Sequence, residues 1–208
     1  MPCLLRTICR ALLVGMSLLP TLFAQTAQYP SQSSSDLVEQ FESTKIFWKQ
    51  LEVAKKIVAL HERSVLEHLQ PWLNNEDMRR RGNAAFIFAR LGDDRGFQVI
   101  KAILEDRSAK RAVFENDDTG RPSVGLQIRA DRYYAAHLLG DVKDPRAVPV
   151  LVSLLKDKDE EVKLIVPWSL GEIGEKSAIP ALEEALGDSS LEMRAAALHA
   201  LEKLEGKE

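Results

Sequence analysis

The chain has 208 residues, 45% of them hydrophobic and 28% charged, with a net charge of -3, values that exclude a collagen, a disulfide scaffold and a fully disordered chain. Aromatic residues make up only 6%, and long runs of Val, Ile and Thr are missing, which argues against a β-sandwich or barrel and toward helices.

The first ten residues carry Arg6 and Arg10 and no acid, and residues 11–24 read ALLVGMSLLPTLFA without a charge. This pattern predicts a signal peptide over 1–24, cleaved after Ala24, because the apolar stretch falls short of the roughly 20 residues that span a bilayer. The expected location is therefore exported, periplasmic or extracellular, with no stable membrane insertion after cleavage. Cys3 and Cys9 leave with the signal, so the mature chain has no thiol for a disulfide, a nucleophile or a thiolate metal site. Losing Arg6 and Arg10 leaves 26 basic against 31 acidic residues, a mature net charge of -5; nucleic acid is not an expected partner. Residues 25–43 are read as a flexible lead-in, polar and rich in Ser and Gln at first, that passes into the start of the first helix.

From residue 44 onward the chain repeats. Leu91-Gly92, Leu139-Gly140 and Ile173-Gly174 align, with Arg81, Arg129 and Lys163 eleven places before each Gly. Each Gly is followed by an apolar segment that closes on Asp106, Asp157 or Asp188, and Pro149 to Pro180 and Asp157 to Asp188 are both 31 residues apart. Apolar residues three and four apart, such as Leu151, Leu154 and Leu155, predict one-sided helices. Gly suits a left-handed cap after the first helix of each pair, and Pro149 and Pro180 suit the opening turn of the second. A pair of this length cannot bury its apolar side alone, so pairs must stack. Residues 44–75 are expected to form a degenerate first pair and 190–205 to close the far end, where Glu202, Lys203 and Glu205 keep it soluble. The expected fold is an all-α, right-handed α-solenoid of stacked antiparallel helix pairs over 44–205.

The unit V-x-K/R, small residues, L/I-G, A-I/V-P-x-L, D, best seen in EVKLIVPWSLGEIGEKSAIPALEEALGD at 159–188, resembles the HEAT-like repeats of the phycocyanobilin-lyase type. The resemblance covers roughly 76–205 and implies the solenoid; it implies no single activity, since such repeats serve lyases, hydroxylases and scaffolds. Tyr133-Tyr134 and Pro167-Trp168 depart from the small residues usual there and imply a local widening or kink near the third unit. Resemblance to the bilin lyases conflicts with an export signal. Resemblance to the di-iron deoxyhypusine hydroxylases implies His-Glu pairs ten and nine places before the repeat Gly, where this chain has Gly82-Asn83, Ala130-Asp131, Leu164-Ile165 and Ala195-Ala196. His61-Glu62 lies in the degenerate unit, and His68, His137 and His199 complete no ligand set. No catalytic residue, metal site or cofactor is expected.

The period breaks once. Asp106 and Asp157 are 51 residues apart, an excess read partly into Asp144-Pro145-Arg146 and otherwise into an insertion at about 107–126. The insertion carries Arg107, Lys110, Arg111, the turn Asn116–Gly120 and Arg121, and its Asp117-Asp118 pair does not make an EF-hand. Residues 76–129 hold 11 basic and 9 acidic side chains, and residues 130–208 hold 10 and 16, so the repeat region is electrically two-ended. The expectation is a non-catalytic scaffold that binds a protein partner through its concave face and the insertion, by Arg107, Lys110, Arg111, Arg121, Tyr133 and Tyr134. The competing class is an enzyme related to the bilin lyases or to the hydroxylases.

Overall fold

A computed structural model describes residues 32–108 and 124–206. The expected signal peptide, most of the lead-in, and Lys110, Arg111 and Arg121 of the insertion lie outside the described residues. The chain divides into Met1–Ser33 and Ser34–Glu208, and the fold is that of the second unit. Its described regular structure is entirely helical: α1 (Ser34–Ser43), α2 (Phe47–Ala59), α3 (Val65–Leu69, continued by a 3₁₀ turn Gln70–Asn74), α4 (Met78–Arg90), α5 (Asp94–Glu105), α6 (Val124–Val142), α7 (Val148–Leu154), α8 (Glu160–Ile173), α9 (Ile179–Ala185) and α10 (Leu191–Glu205). Helices α2, α4, α6, α8 and α10 each pack on the next, and α5, α7 and α9 form a second layer against α6, α8 and α10. This is the α-solenoid of stacked helix pairs that the periodicity implies.

Local chemistry sets each turn. Asp77 caps α4 by accepting from Arg79 and Arg80 N–H, Asp93 caps α5 through Arg95 N–H, and Ser190 caps α10 through Met193 N–H, each worth about 1 kcal/mol. Pro149 and Pro180 sit in the first turn of α7 and α9, where a missing N–H costs nothing. Between pairs, Asn75, Asp106, Asp157 and Asp188 accept the N–H two residues on, a side-chain turn that redirects the backbone into the next pair.

Two features of the register differ from expectation. Gly92 and Gly174 are left-handed, with φ of 78° and 81°, but Gly140 is inside α6, and the left-handed residue there is Lys143, φ 60°. Lys143 is 51 residues after Gly92 and 31 before Gly174, so the residue equivalent to Arg81 and Lys163 is Arg132, three places beyond Arg129. The turn Asp144-Pro145-Arg146 then matches Asp93-Asp94-Arg95 and is not extra. All twenty additional residues fall between Asp106 and Arg132, and the last five of them lengthen α6, which starts at 124 where the repeat would start at 129. Nor do α6 and α8 widen. A Cβ on Gly140 would lie 2.9 Å from Ser169 Cα, so the helices meet backbone to backbone, with Ser169 Oγ 2.9 Å from Ala136 O.

The amino end is thicker than a single pair. Residues 34–43 form a helix because Leu37 and Phe41 repeat four apart and bury against α2 and α3, and the Phe41 ring meets Trp72 edge to face at 5.3 Å. A polar ladder then crosses four helices: Gln50 Nε2 donates to Phe41 O at 2.9 Å, Asn83 Nδ2 donates to Gln50 Oε1 at 3.0 Å, and Tyr134 OH donates to Asn83 Oδ1. Gln50 and Asn83 are fully buried, and the ladder satisfies groups that would otherwise cost stability.

Candidate partner-binding site

The candidate site is the base of the insertion and the helix that follows it. Arg132 projects from α6 and is 1% exposed, the largest fully buried side chain among the described residues. Its Nε donates to Leu104 O at 2.9 Å, its Nη2 to Asp157 Oδ2 at 2.5 Å and its Nη1 to Asp159 Oδ2 at 2.6 Å. Arg107, the first residue of the insertion, reaches the same Asp157 Oδ2 at 2.5 Å. The residue that enters the insertion and the helix that leaves it are therefore tied to one carboxylate. Burial works to raise the Asp157 pKa, but hydrogen bonds from Arg132 and from Asp159 N–H, with the charges of Arg132 and Arg107, outweigh it and hold the carboxyl at about 2. A guanidinium fork suits this position because it meets two acids and a carbonyl at once.

The two tyrosines part company. Tyr133 is 40% exposed, and Leu126, seven residues earlier on the same helix, is 42% exposed, so both face solvent just after the insertion. Tyr134 turns inward, half-buried, its ring 5.0 Å from Phe47 in an edge contact. Burial pushes its phenol far above the ordinary value, the Asp141 charge adding to the effect, so it stays a neutral donor to Asn83. Arg107 is more than half exposed along its side chain while holding Asp157.

Sequence reading missed Arg132, Asp157 and Asp159 as a unit. The signal was the spacing of Arg132, Lys163 and Arg194, 31 residues apart, hidden because a Lys in the left-handed position does not announce a helix end. It also missed a stack on the next turn of α6: the His137 ring lies 4.4 Å from Trp168 of α8, nearly parallel, and its Nδ1 is 3.8 Å from Asp141 Oδ2. Burial pushes the His137 pKa down, Asp141 and Glu172 oppose the shift, and Lys55 adds to it. His137, Trp168 and His199 occupy equivalent positions 31 apart. In the corrected register the positions ten and nine before the cap of the third unit are Tyr133-Tyr134, again not His-Glu. Among the described residues no three His, Cys, Asp or Glu side chains are placed to hold a metal ion.

Comparison with known proteins gives the same division of the chain. The chain is 31% identical over 134 residues to the bilin biosynthesis protein PecE of Nostoc sp. (strain PCC 7120), covering 64% of this chain and 48% of that protein. It is 34% identical over 76 residues to the deoxyhypusine hydroxylase of Rattus norvegicus, covering 36% of this chain and 25% of that enzyme. The chain thus spans about half the length of the first relative and a quarter of the second. The family model of HEAT repeats matches residues 129–202, beginning where α6 regains the register of α4 and α8. Residues 129–202 are HEAT repeats.

Proposed function

We propose that the protein is an exported, non-catalytic HEAT-repeat scaffold that captures a protein partner with the insertion at 107–126 and the adjoining face of α6. The observation that supports it most is the pairing of a rigid base with exposed apolar side chains: Arg107 and Arg132 meet at Asp157, and Leu126 and Tyr133 stand out to solvent directly after the insertion. A loop clamped at its base loses less freedom when it engages a partner, so more of the contact energy appears as affinity. Lys110, Arg111 and Arg121 stand beside Glu115, Asp117 and Asp118 in the insertion, a mixed set of charges that suits a partner with a polar, charge-complementary surface. Tyr133 supplies an aromatic anchor of the kind that carries interface energy.

The test replaces residues 109–123 with a short Gly-Ser turn and, separately, makes Tyr133→Ser. Both variants should keep helical content and cooperative melting, and both should lose the stoichiometric protein that the unaltered chain retains from its native envelope extract. Loss of folding on replacement would make the insertion a structural brace. A second reading, an enzyme acting on bilins or using a metal, draws on the names of the two relatives. Absorbance with added bilin, and metal content of the same purified protein, test it directly; bound iron without a protein partner would replace the scaffold reading.

A further inference from the structure

The corner between α1 and α2 carries a second exposed feature. Residues 45–49 read Lys-Ile-Phe-Trp-Lys. Phe47 turns inward, its ring packed edge to face on Tyr134 at 5.0 Å with the Arg79 guanidinium 4.7 Å from its centroid. Trp48 turns outward, 59% exposed, buttressed by the edge of Phe47 at 5.1 Å. Ile46 beside it is 40% exposed.

Two lysines flank these two side chains. Lys45 and Lys49 are exposed, and among the described residues neither is in an ion pair. Of the nearby acids, Glu42 accepts from Trp72 Nε1 at 3.2 Å, and Glu52 lies 3.9 Å from Lys55, which also holds Asp141 at 3.3 Å. The residue at the start of α2 is Ile46, whose side chain offers no cap hydrogen bond, so the positive end of the helix dipole adds to the lysines at the same corner.

We propose that this corner docks on an anionic phospholipid surface, with the Trp48 indole and the Ile46 side chain at headgroup depth and Lys45 and Lys49 against the phosphates. Two apolar side chains are too few for the core of a stable protein interface, which needs about 1,000 Å². A membrane interface asks only for an amphipathic ring, which sits where water meets hydrocarbon, and for lysines whose stems lie along the surface with their heads at the phosphates. Each basic side chain near an anionic leaflet adds attraction that salt screens. No described helix is long and apolar enough to cross a membrane, so the contact lies on the surface. The partner face proposed above is on α6 and the insertion, and this contact does not depend on it.

The experiment sediments the full chain with vesicles of phosphatidylcholine alone and of equal parts phosphatidylcholine and phosphatidylglycerol, at low and high salt, with circular dichroism confirming each variant's fold. The expected result is binding to the anionic vesicles only, weakened by salt, reduced roughly tenfold by K45E/K49E and also lost in W48A. Binding to both vesicle types that is indifferent to K45E/K49E would belong to the apolar stretch 11–24 and would overturn the proposal. So would capture of polyglutamate, unaffected by W48A, without vesicle binding, since the patch would then be one for acidic polypeptides.

Discussion

Arg132 and Lys163 hold the same position in consecutive repeats, 31 residues apart, and do the same job by different means. Lys163 reaches Asp188 at 3.4 Å and Glu160 at 2.9 Å, with Glu160 mostly exposed. Arg132 is buried, forks across Asp157 and Asp159, and closes on Leu104 O besides. The difference tracks the insertion. Between Lys163 and the pair before it the chain runs without interruption, and covalent continuity keeps the helices in place at little cost. Before Arg132 twenty extra residues intervene, loop closure no longer holds α6 close to α5, and a buried ionic clamp takes over. The same repeat position can therefore hold a partly buried lysine pair or a fully buried arginine pin, according to what the neighbouring chain leaves undone.

The sharpest break in that comparison is Arg132→Met set beside Lys163→Met. Removing Arg132 leaves the buried Asp157 only the half-exposed Arg107 and should cost about 3 kcal/mol, whereas Lys163→Met should cost about 1 kcal/mol or less; urea unfolding of both variants measures the gap. Arg132→Lys, which makes the third unit imitate the fourth, should recover little, because an ammonium cannot reach two acids and a carbonyl together. Equal costs for the two Met variants would remove the distinction.

Acid should expose the same asymmetry. The Asp157 pKa is depressed to about 2 in the folded chain from the ordinary carboxylate value of 3.8. Its contribution is therefore complete above the unfolded value and disappears as pH falls from about 5 toward 2, a loss on the order of 2 kcal/mol. Stability measured across that window should slope downward in the unaltered protein, and the slope should flatten in Asp157→Asn.

Two glycines refine the contrast between junctions. A Cβ on Gly140 would meet Ser169 Cα at 2.9 Å and the Trp168 ring at 3.0 Å, while one on Gly171 would meet Ala200 Cα at 3.4 Å. Gly140→Ala should destabilise by about 1–3 kcal/mol through overpacking. Gly171→Ala should be neutral, or stabilise by about 0.5 kcal/mol, since Ala is the better helix residue. The next position in that series is Glu202, and a charged side chain there stops a further helix from approaching α10 as closely as α8 approaches α6. Smallest of all, Lys143→Gly should stabilise by about 0.5 kcal/mol, relief of the left-handed backbone at φ 60° being offset by loss of the Glu172 pair. Thermal melts resolve these last three.

The helix pairs, their 31-residue period and the positions of Pro149 and Pro180 were legible in the sequence because apolar spacing and the stereochemistry of proline act locally. The location of the extra residues was legible only roughly. Gly140 looked like a cap and was instead a contact surface, since a glycine's missing side chain serves both purposes and the letter does not say which. Of the candidate contact residues, composition and position drew attention to Tyr133 and Tyr134 together, but alternation of faces on a helix sends one to solvent and the other to Asn83. Lys110, Arg111 and Arg121 lie outside the described residues.

The sequence by itself therefore determined that the chain is a helical stack of HEAT-like pairs, because that follows from periodicities of three and four within each segment. It also determined that one junction is unlike the others, because a count of residues shows it. Only the tertiary structure decided how that junction is held. Asp157 follows Arg107 by 50 residues and Arg132 by 25, and nothing local in the chain says that three charges so far apart will share one desolvated corner. That follows from the stacking of α6 on α5 and α8, which removes water from Arg132 and leaves its charge to be met by Asp157, Asp159 and the Leu104 carbonyl.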